Sequence, residues 1–265
     1  MKNIVIINGS PRRKGNSALL AEALKQDIGN LLSDRIDVQT FFLAQQDYFD
    51  STPVTPDSDP GSLHFKKSFA KALKVAPCKG CQACSKTGEC IIKSDDMNKL
   101  INALDTADAL IWISPLYFGT VTAQLKAVID RMQVFWARNA TADNPSGIAA
   151  DRSRPAIALY VAAHNDPFSA KIPGQRPDDR EEWNQLPTSS SRPPSRGLGA
   201  ESQLDEQRKG AALVPLRFAS NTAGFNLVGY HAVIGPEHSG DIAKPEFAGQ
   251  FSGAVAFVLE HIAAS

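Results

Sequence analysis

The sequence predicts an α/β protein built on a doubly wound, five-stranded parallel sheet with helices on both faces. Three observations carry this reading. Short continuous apolar runs, such as NIVIIN at 3–8 and ADALIWIS at 107–114, have the pattern of strands buried on both faces. Those runs alternate with segments whose apolar residues recur at helical spacing. No internal repeat and no linker breaks the alternation, so the 265 residues read as a single domain.

The first strand, 3–8, runs into a Gly/Ser/Arg loop. From Ser17 onward, Leu20, Leu24, Ile28 and Leu31 mark a helix. IDVQTFFL at 36–43 is the second strand. Residues 46–70 carry prolines and aspartates with few aliphatics and read as an insertion. After a cysteine-rich stretch, Ser94-Asp95-Asp96 offers an N-cap and acidic first-turn residues for a helix reaching Leu104. The third strand, 107–114, ends at Pro115. Val121, Leu125, Val128, Ile129 and Met132 then line one face of a helix over about 119–135. A fourth strand occupies 155–163. The Pro/Ser/Arg-rich stretch at 165–207 cannot bury a core and is a second insertion. A helix over 209–222 and a fifth strand at 226–234 follow. Phe247, Phe251, Val255, Val258 and Ile262 line the last helix. Right-handed crossovers between five such strands favour the flavodoxin-like order 2-1-3-4-5, in which ligands sit at the carboxyl ends of strands one and three.

Composition narrows the partners. Lys and Arg number 28, as do Asp and Glu, so no net basic field recommends nucleic acid or an anionic membrane surface. The longest apolar runs fall well short of the roughly 20 residues a spanning helix needs. Met1-Lys2-Asn3 leads straight into a strand, so no leader is expected and the cytoplasm is the expected compartment. In that reducing setting structural disulfides are improbable.

The loop Gly9-Ser10-Pro11-Arg12-Arg13-Lys14-Gly15-Asn16-Ser17 lies between the first strand and the first helix. A helix N-terminus there presents unpaired N–H groups and the positive dipole end to an anion. Short neutral donors and three cations surround it. Neither G-x-G-x-x-G nor a Gly-Lys-Ser/Thr ending is present, so the loop reads as a phosphate monoester site. At the neighbouring strand end, Ser114-Pro115-Leu116-Tyr117-Phe118-Gly119-Thr120 supplies aromatics and backbone donors for a flat ring anchored by that phosphate. All four cysteines fall in PCKGCQACSKTGEC, spaced C-x2-C-x2-C-x5-C at Cys78, Cys81, Cys84 and Cys90. The run is too tight for a tetrahedral zinc ion and suits a cubane iron–sulfur cluster; free, oxidised or redox-active thiols remain the alternative.

GSPRRKGNS, PCKGCQACSKTGEC followed by SDDM, and SPLYFGTVTAQLKAVIDR together resemble the NADPH-dependent FMN reductase family, and within it the iron–sulfur flavoproteins. The resemblance implies a flavodoxin-like fold that binds FMN. Ser10, Arg12, Asn16 and Ser17 match the phosphate-contacting positions, and Pro115, Leu116, Tyr117, Phe118 and Gly119 match the loop holding the isoalloxazine. It implies a [4Fe–4S] cluster on the four cysteines near the flavin of a neighbouring subunit, and a homodimer or homotetramer. Where the family often has a glycine-rich turn after the fourth strand, this chain has Ala162-Ala163-His164-Asn165-Asp166.

The expected activity is an NAD(P)H-dependent flavin- or quinone-type reductase, with no general acid or base nominated. The alternative is an electron carrier serving a ferredoxin-like partner. A module that keeps the fold without the flavin conflicts with two intact loops. Phe135 and Trp136 are read either as subunit contacts or as core.

Overall fold

The structure, a computed structural model, describes residues 2–32, 36–43, 72–162, 213–236, 238 and 240–263. The insertions expected at 46–70 and 165–207, and His164, lie outside these residues. Five parallel strands form one sheet in the order β2-β1-β3-β4-β5: β1 (Lys2–Asn8), β2 (Ile36–Phe42), β3 (Ala109–Pro115), β4 (Arg154–Ala162) and β5 (Phe225–Ile234). This is the flavodoxin-like order expected from the alternation. The helices are α1 (Asn16–Leu32), α2 (Ala83–Thr87), α3 (Met97–Thr106), α4 (Ala123–Arg131), α5 (Gln133–Asn139), α6 (213–222) and α7 (Ala248–Ala263).

The continuous apolar runs are explained by burial on both faces. Ile4 and Ile6 of β1, with Ile111, Ile113, Ile157 and Leu159, face the layer formed by α1 and α7. Val5 and Ile7, with Leu110, Trp112, Ala158 and Tyr160, face α3, α4, α5 and α6. Each of these side chains is essentially inaccessible, and burying one such aliphatic contributes about 1.5–3 kcal/mol. Trp112 is accommodated because its indole N–H donates to Ser220 Oγ at 3.0 Å.

Three expectations are refined. The helix predicted over 119–135 begins later, at Ala123, because residues 117–120 form a turn and Thr122 is the N-cap. It also breaks at Met132, so α4 and α5 are separate. The helix after the cysteines starts at Met97; Asp95 Oδ1 accepts the Met97 N–H at 3.2 Å, and Asp96, the N-cap residue, makes no side-chain cap bond. Phe135 belongs to the core, and Trp136 packs over Gly147, where a Cβ would fall 2.1 Å from its ring.

The end of the sheet opposite the carboxyl ends of β1 and β3 is closed by Arg154. Its guanidinium donates to the carbonyls of Leu104, Ala107, Ala223 and Gly224, at the C-termini of α3 and α6, and stacks 4.0 Å over Phe225. A cation at two helix C-termini satisfies both the orphan carbonyls and the dipoles. Burial lowers the pKa of this guanidinium, which nonetheless stays charged.

Candidate functional site

The carboxyl ends of β1 and β3 carry the two loops singled out in the sequence, and one residue joins them. Thr122 Oγ1 donates to Gly9 O and accepts from Leu125 N–H at 3.2 Å, so the cap of α4 also anchors the first loop. Gly9 N–H donates to Ile113 O at 2.7 Å. The loop therefore lies flat on α4: a Cβ at Gly9 would sit 2.7 Å from Leu125 Cβ, which only glycine avoids. Ser114 Oγ, buried, lies 3.5 Å from Thr122 N–H and completes the junction.

Beyond Gly9 the first loop turns into α1. Ser10 Oγ accepts from Arg12 N–H and donates to Arg12 O, each at 3.2 Å, which shapes the bend. Arg12 is exposed, while Ser10 and Ser17 are buried. The first turn of α1 holds no acidic side chain of its own to oppose an anion at its dipole end.

Beneath the loop, Asn8 is 1% exposed. Its Oδ1 accepts from Ser10 N–H at 3.0 Å, but its Nδ2 is buried with no partner. A buried amide donor without an acceptor costs about 1–3 kcal/mol. Its place under a loop of backbone donors fits a site completed by an acceptor-rich ligand such as a phosphate ester.

Asn16 has a role the sequence did not suggest. Its Nδ2 donates to Pro236 O (3.3 Å) and His238 O (2.8 Å), and its Oδ1 accepts from Gly240 N–H (3.0 Å) and Ile242 N–H (3.2 Å). The side chain is thus spent on tying the segment after β5 to the start of α1. Asp241 closes that segment through His238 N–H at 2.7 Å and Lys244 Nζ at 2.8 Å.

In the second loop, Leu116 N–H is held by Val161 O at 3.2 Å, and Tyr117 and Thr120 exchange backbone hydrogen bonds of 3.0 and 3.2 Å. The tip residues Phe118 and Gly119 have φ of 51° and 75°. Positive φ suits glycine and is an outlier for phenylalanine. Phe118 is also fully exposed, and Tyr117 is 41% exposed. Backbone strain and apolar exposure thus coincide on one ring at the tip of this loop, a combination that is found at functional sites. Pro115, Leu116, Tyr117, Phe118 and Gly119 lie beside the loop at 9–17, at the carboxyl ends of the neighbouring strands β3 and β1.

The cysteine segment meets the C-terminal end of α4, where Arg131 lies. Cys78 and Cys81 are exposed; Cys84 and Cys90 are half-buried and pack against the core; all four are free thiols. Gly80, Gln82 and Gly88 have φ near 60–70°, so the segment turns sharply between its sulfurs. Donor chemistry therefore suits a thiolate-bound cluster. The expected four-cysteine centre is nevertheless not formed: among the described residues, no three Cys, His, Asp or Glu side chains gather as a metal-binding group.

The segment is gripped by two residues, Arg131 and Asp95, whose pairing the sequence did not reveal. Arg131, at the end of α4, makes a bidentate pair with Asp95 (2.8 and 3.3 Å) and donates to Ala76 O and Ile92 O. Asp95 also accepts from Ala76 N–H at 2.9 Å. Burial alone would raise the Asp95 pKa, but hydrogen bonds from Arg131, Ala76 and Met97 outweigh it and hold the carboxyl below its ordinary range. The signal was present as a charged residue on the apolar stripe of α4. Its partner, 36 residues away, is not locally legible.

Among the described residues, no helix is long and apolar enough to cross a membrane. Solved structures share the fold: an FMN-dependent NADH-azoreductase from Bacillus anthracis (TM-score 0.55, 9% identity, covering 98% of this chain and 99% of that one) and an NAD(P)H:quinone oxidoreductase from Methanothermobacter marburgensis (TM-score 0.53, 15% identity, 98% of each). In sequence, the chain is similar to an iron-sulfur flavoprotein of Archaeoglobus fulgidus, 34% identical over 134 residues, covering 51% of this chain and 52% of that protein. It is also similar to an iron-sulfur flavoprotein of Methanosarcina thermophila, 40% identical over 81 residues, covering 31% and 42%. The chain spans about half the length of the curated relatives it matches. The pattern of the NADPH-dependent FMN reductases matches residues 2–164, which include both loops and the cysteine segment, and the chain belongs to that family.

Proposed function

We propose that this chain is an FMN-dependent oxidoreductase that takes reducing equivalents from NAD(P)H and passes them to a small flavin- or quinone-type acceptor. The observation that carries the reading is the fusion of an anion-ready helix N-terminus with a strained, exposed aromatic turn through Thr122. FMN, when bound, supplies the hydride and electron chemistry. The residues Ser10, Arg12 and Ser17, the backbone at Asn16 and the orphan amide of Asn8 would hold its phosphate end. Pro115 to Gly119 would hold its ring, with Tyr117 and Phe118 excluding water from one side. No side chain is assigned as general acid or base, since hydride transfer to a flavin needs none. The protein is read as cytoplasmic, with a homodimer or homotetramer as its working form.

The test is direct. Protein loaded with FMN is mixed anaerobically with NADPH or NADH. Rapid bleaching of the flavin band without a protein partner supports the reductase; bleaching only after addition of reduced ferredoxin refutes it in favour of an electron carrier.

A second reading concerns the cysteines. Their spacing, their free state and the names of the relatives support Cys78, Cys81, Cys84 and Cys90 as ligands of a [4Fe–4S] cluster. Binding requires the exposed Cys78–Cys81 turn to close on the half-buried Cys84 and Cys90. Iron and sulfide content of anaerobically purified protein, with its electron paramagnetic resonance spectrum after reduction, tests this independently of the flavin.

A further inference from the structure

We propose that Asn16 is a positioning residue for the phosphate end of the flavin: its amide latches the stretch after β5 onto the start of α1, and the bound phosphate and that latch hold each other closed. The inference rests on the FMN reading and deepens it. It gives the Asn16 side chain an indirect role in place of the direct phosphate contact that the sequence resemblance implied.

An asparagine amide offers two donor hydrogens and one oxygen with two lone pairs. At Asn16 all four positions are taken by one distant stretch of backbone. Nδ2 donates to the carbonyls of Pro236 and His238, and Oδ1 accepts from the N–H groups of Gly240 and Ile242. The residue is buried, and its amide has no capacity left for a phosphate. Asn16 is nevertheless the first residue of α1, where a helix carries its orphan N–H groups. Whatever fixes this side chain therefore fixes the start of the helix that faces the anion.

The stretch after β5 is braced well enough to act as an anchor. Gly235 N–H donates to Ala162 O at 2.9 Å, which fixes the point where the chain leaves the sheet. Gly240, at φ 95°, supplies the bend from which its own N–H and that of Ile242 reach a single oxygen. Ile242 is fully buried in the layer under α1 and α7. Asp241 ties the bend together through His238 N–H at 2.7 Å and Lys244 Nζ at 2.8 Å. The phosphate loop is thus pinned at both ends by polar side chains, by Thr122 at Gly9 and by Asn16 at α1. A loop held this way presents its donors without an ordering cost on binding. Coupling between binding and latching is reciprocal, so a ligand that needs the latched loop suppresses its opening by a factor of 1 + [L]/Kd.

The experiment follows amide hydrogen exchange of the wild-type chain alone, with FMN, and with riboflavin, which lacks the phosphate. Each flavin is supplied at about 100 times its own Kd, so that both protect equally against global unfolding. The Gly240 and Ile242 amides, which Asn16 binds, should exchange about 100-fold more slowly with FMN. With riboflavin the slowing should be much smaller. Equal slowing by the two flavins, or none by either, overturns the inference and leaves FMN binding standing. Asn16→Ala supplies a second readout. Its FMN affinity should fall about 10- to 100-fold, the worth of one charge-assisted hydrogen bond, while its riboflavin affinity stays that of wild type. An unchanged ratio of the two affinities overturns the inference equally, since a purely structural loss would not separate the flavins. If Asn16→Ala does not fold, the wild-type exchange result decides alone. A wild type that binds neither flavin overturns the FMN reading, and the inference with it.

Discussion

Replacing Thr122 with valine removes one hydroxyl from the junction between the two loops and leaves the side-chain shape nearly intact. Two interactions disappear together. The Leu125 N–H loses its cap acceptor, which costs about 1 kcal/mol. The buried Gly9 carbonyl loses its donor, which costs about 1–3 kcal/mol because water cannot replace it. Together they amount to about 2–4 kcal/mol of global stability. Urea denaturation of flavin-free protein measures this directly as a lower midpoint at constant slope. FMN titration measures the consequence for the site, because a loosened Gly9 shifts the donors beyond it; weaker binding is expected. Thr122→Ser keeps the hydroxyl and should restore both. A valine variant within about 0.5 kcal/mol of wild type, with unchanged FMN affinity, would refute the claim that Thr122 couples the loops.

Asn16→Ala should destabilise the flavin-free protein by several kcal/mol through loss of four hydrogen bonds to the segment after β5; protease sensitivity of that segment is the readout. Phe118→Gly should stabilise the flavin-free protein by about 1 kcal/mol by relieving a left-handed residue, while slowing NAD(P)H turnover; a variant that is both less stable and fully active contradicts the assignment. Arg154→Met should lower the melting temperature markedly without altering FMN affinity, because the carbonyls it serves lie at the far end of the sheet. The Asp95 carboxyl is depressed in the folded state, so its stabilising contribution is complete above the unfolded pKa of about 3.9 and fades as pH falls through the folded value. The stability gap between wild type and Asp95→Asn should therefore be constant near neutrality and close below about pH 4; a gap that persists in acid would refute the pairing as its origin.

Features with a local cause were legible in the sequence. A strand buried on both faces must be continuously apolar, so all five strands could be read from short windows, and their alternation with helices selected the sheet order. The glycine loop before α1 and the Pro115–Gly119 loop after β3 were legible for the same reason, since each is one contiguous stretch at one strand end. Tertiary structure alone decided which side chains serve which loop. Asn16 carries a residue type that suits a phosphate, yet its amide is committed to carbonyls and N–H groups more than 200 positions away. Thr122 looks like an ordinary cap until folding brings Gly9 against it, and Arg131 like a misplaced charge until Asp95 and both ends of the cysteine run close around it. Hydrogen-bond partners are chosen by distance in space, and a sequence records only distance along the chain. The run PCKGCQACSKTGEC shows both sides of this: its donors were evident at once, whereas the packing of Cys84 and Cys90 on the core, with Cys78 and Cys81 left exposed, exists only in the folded chain.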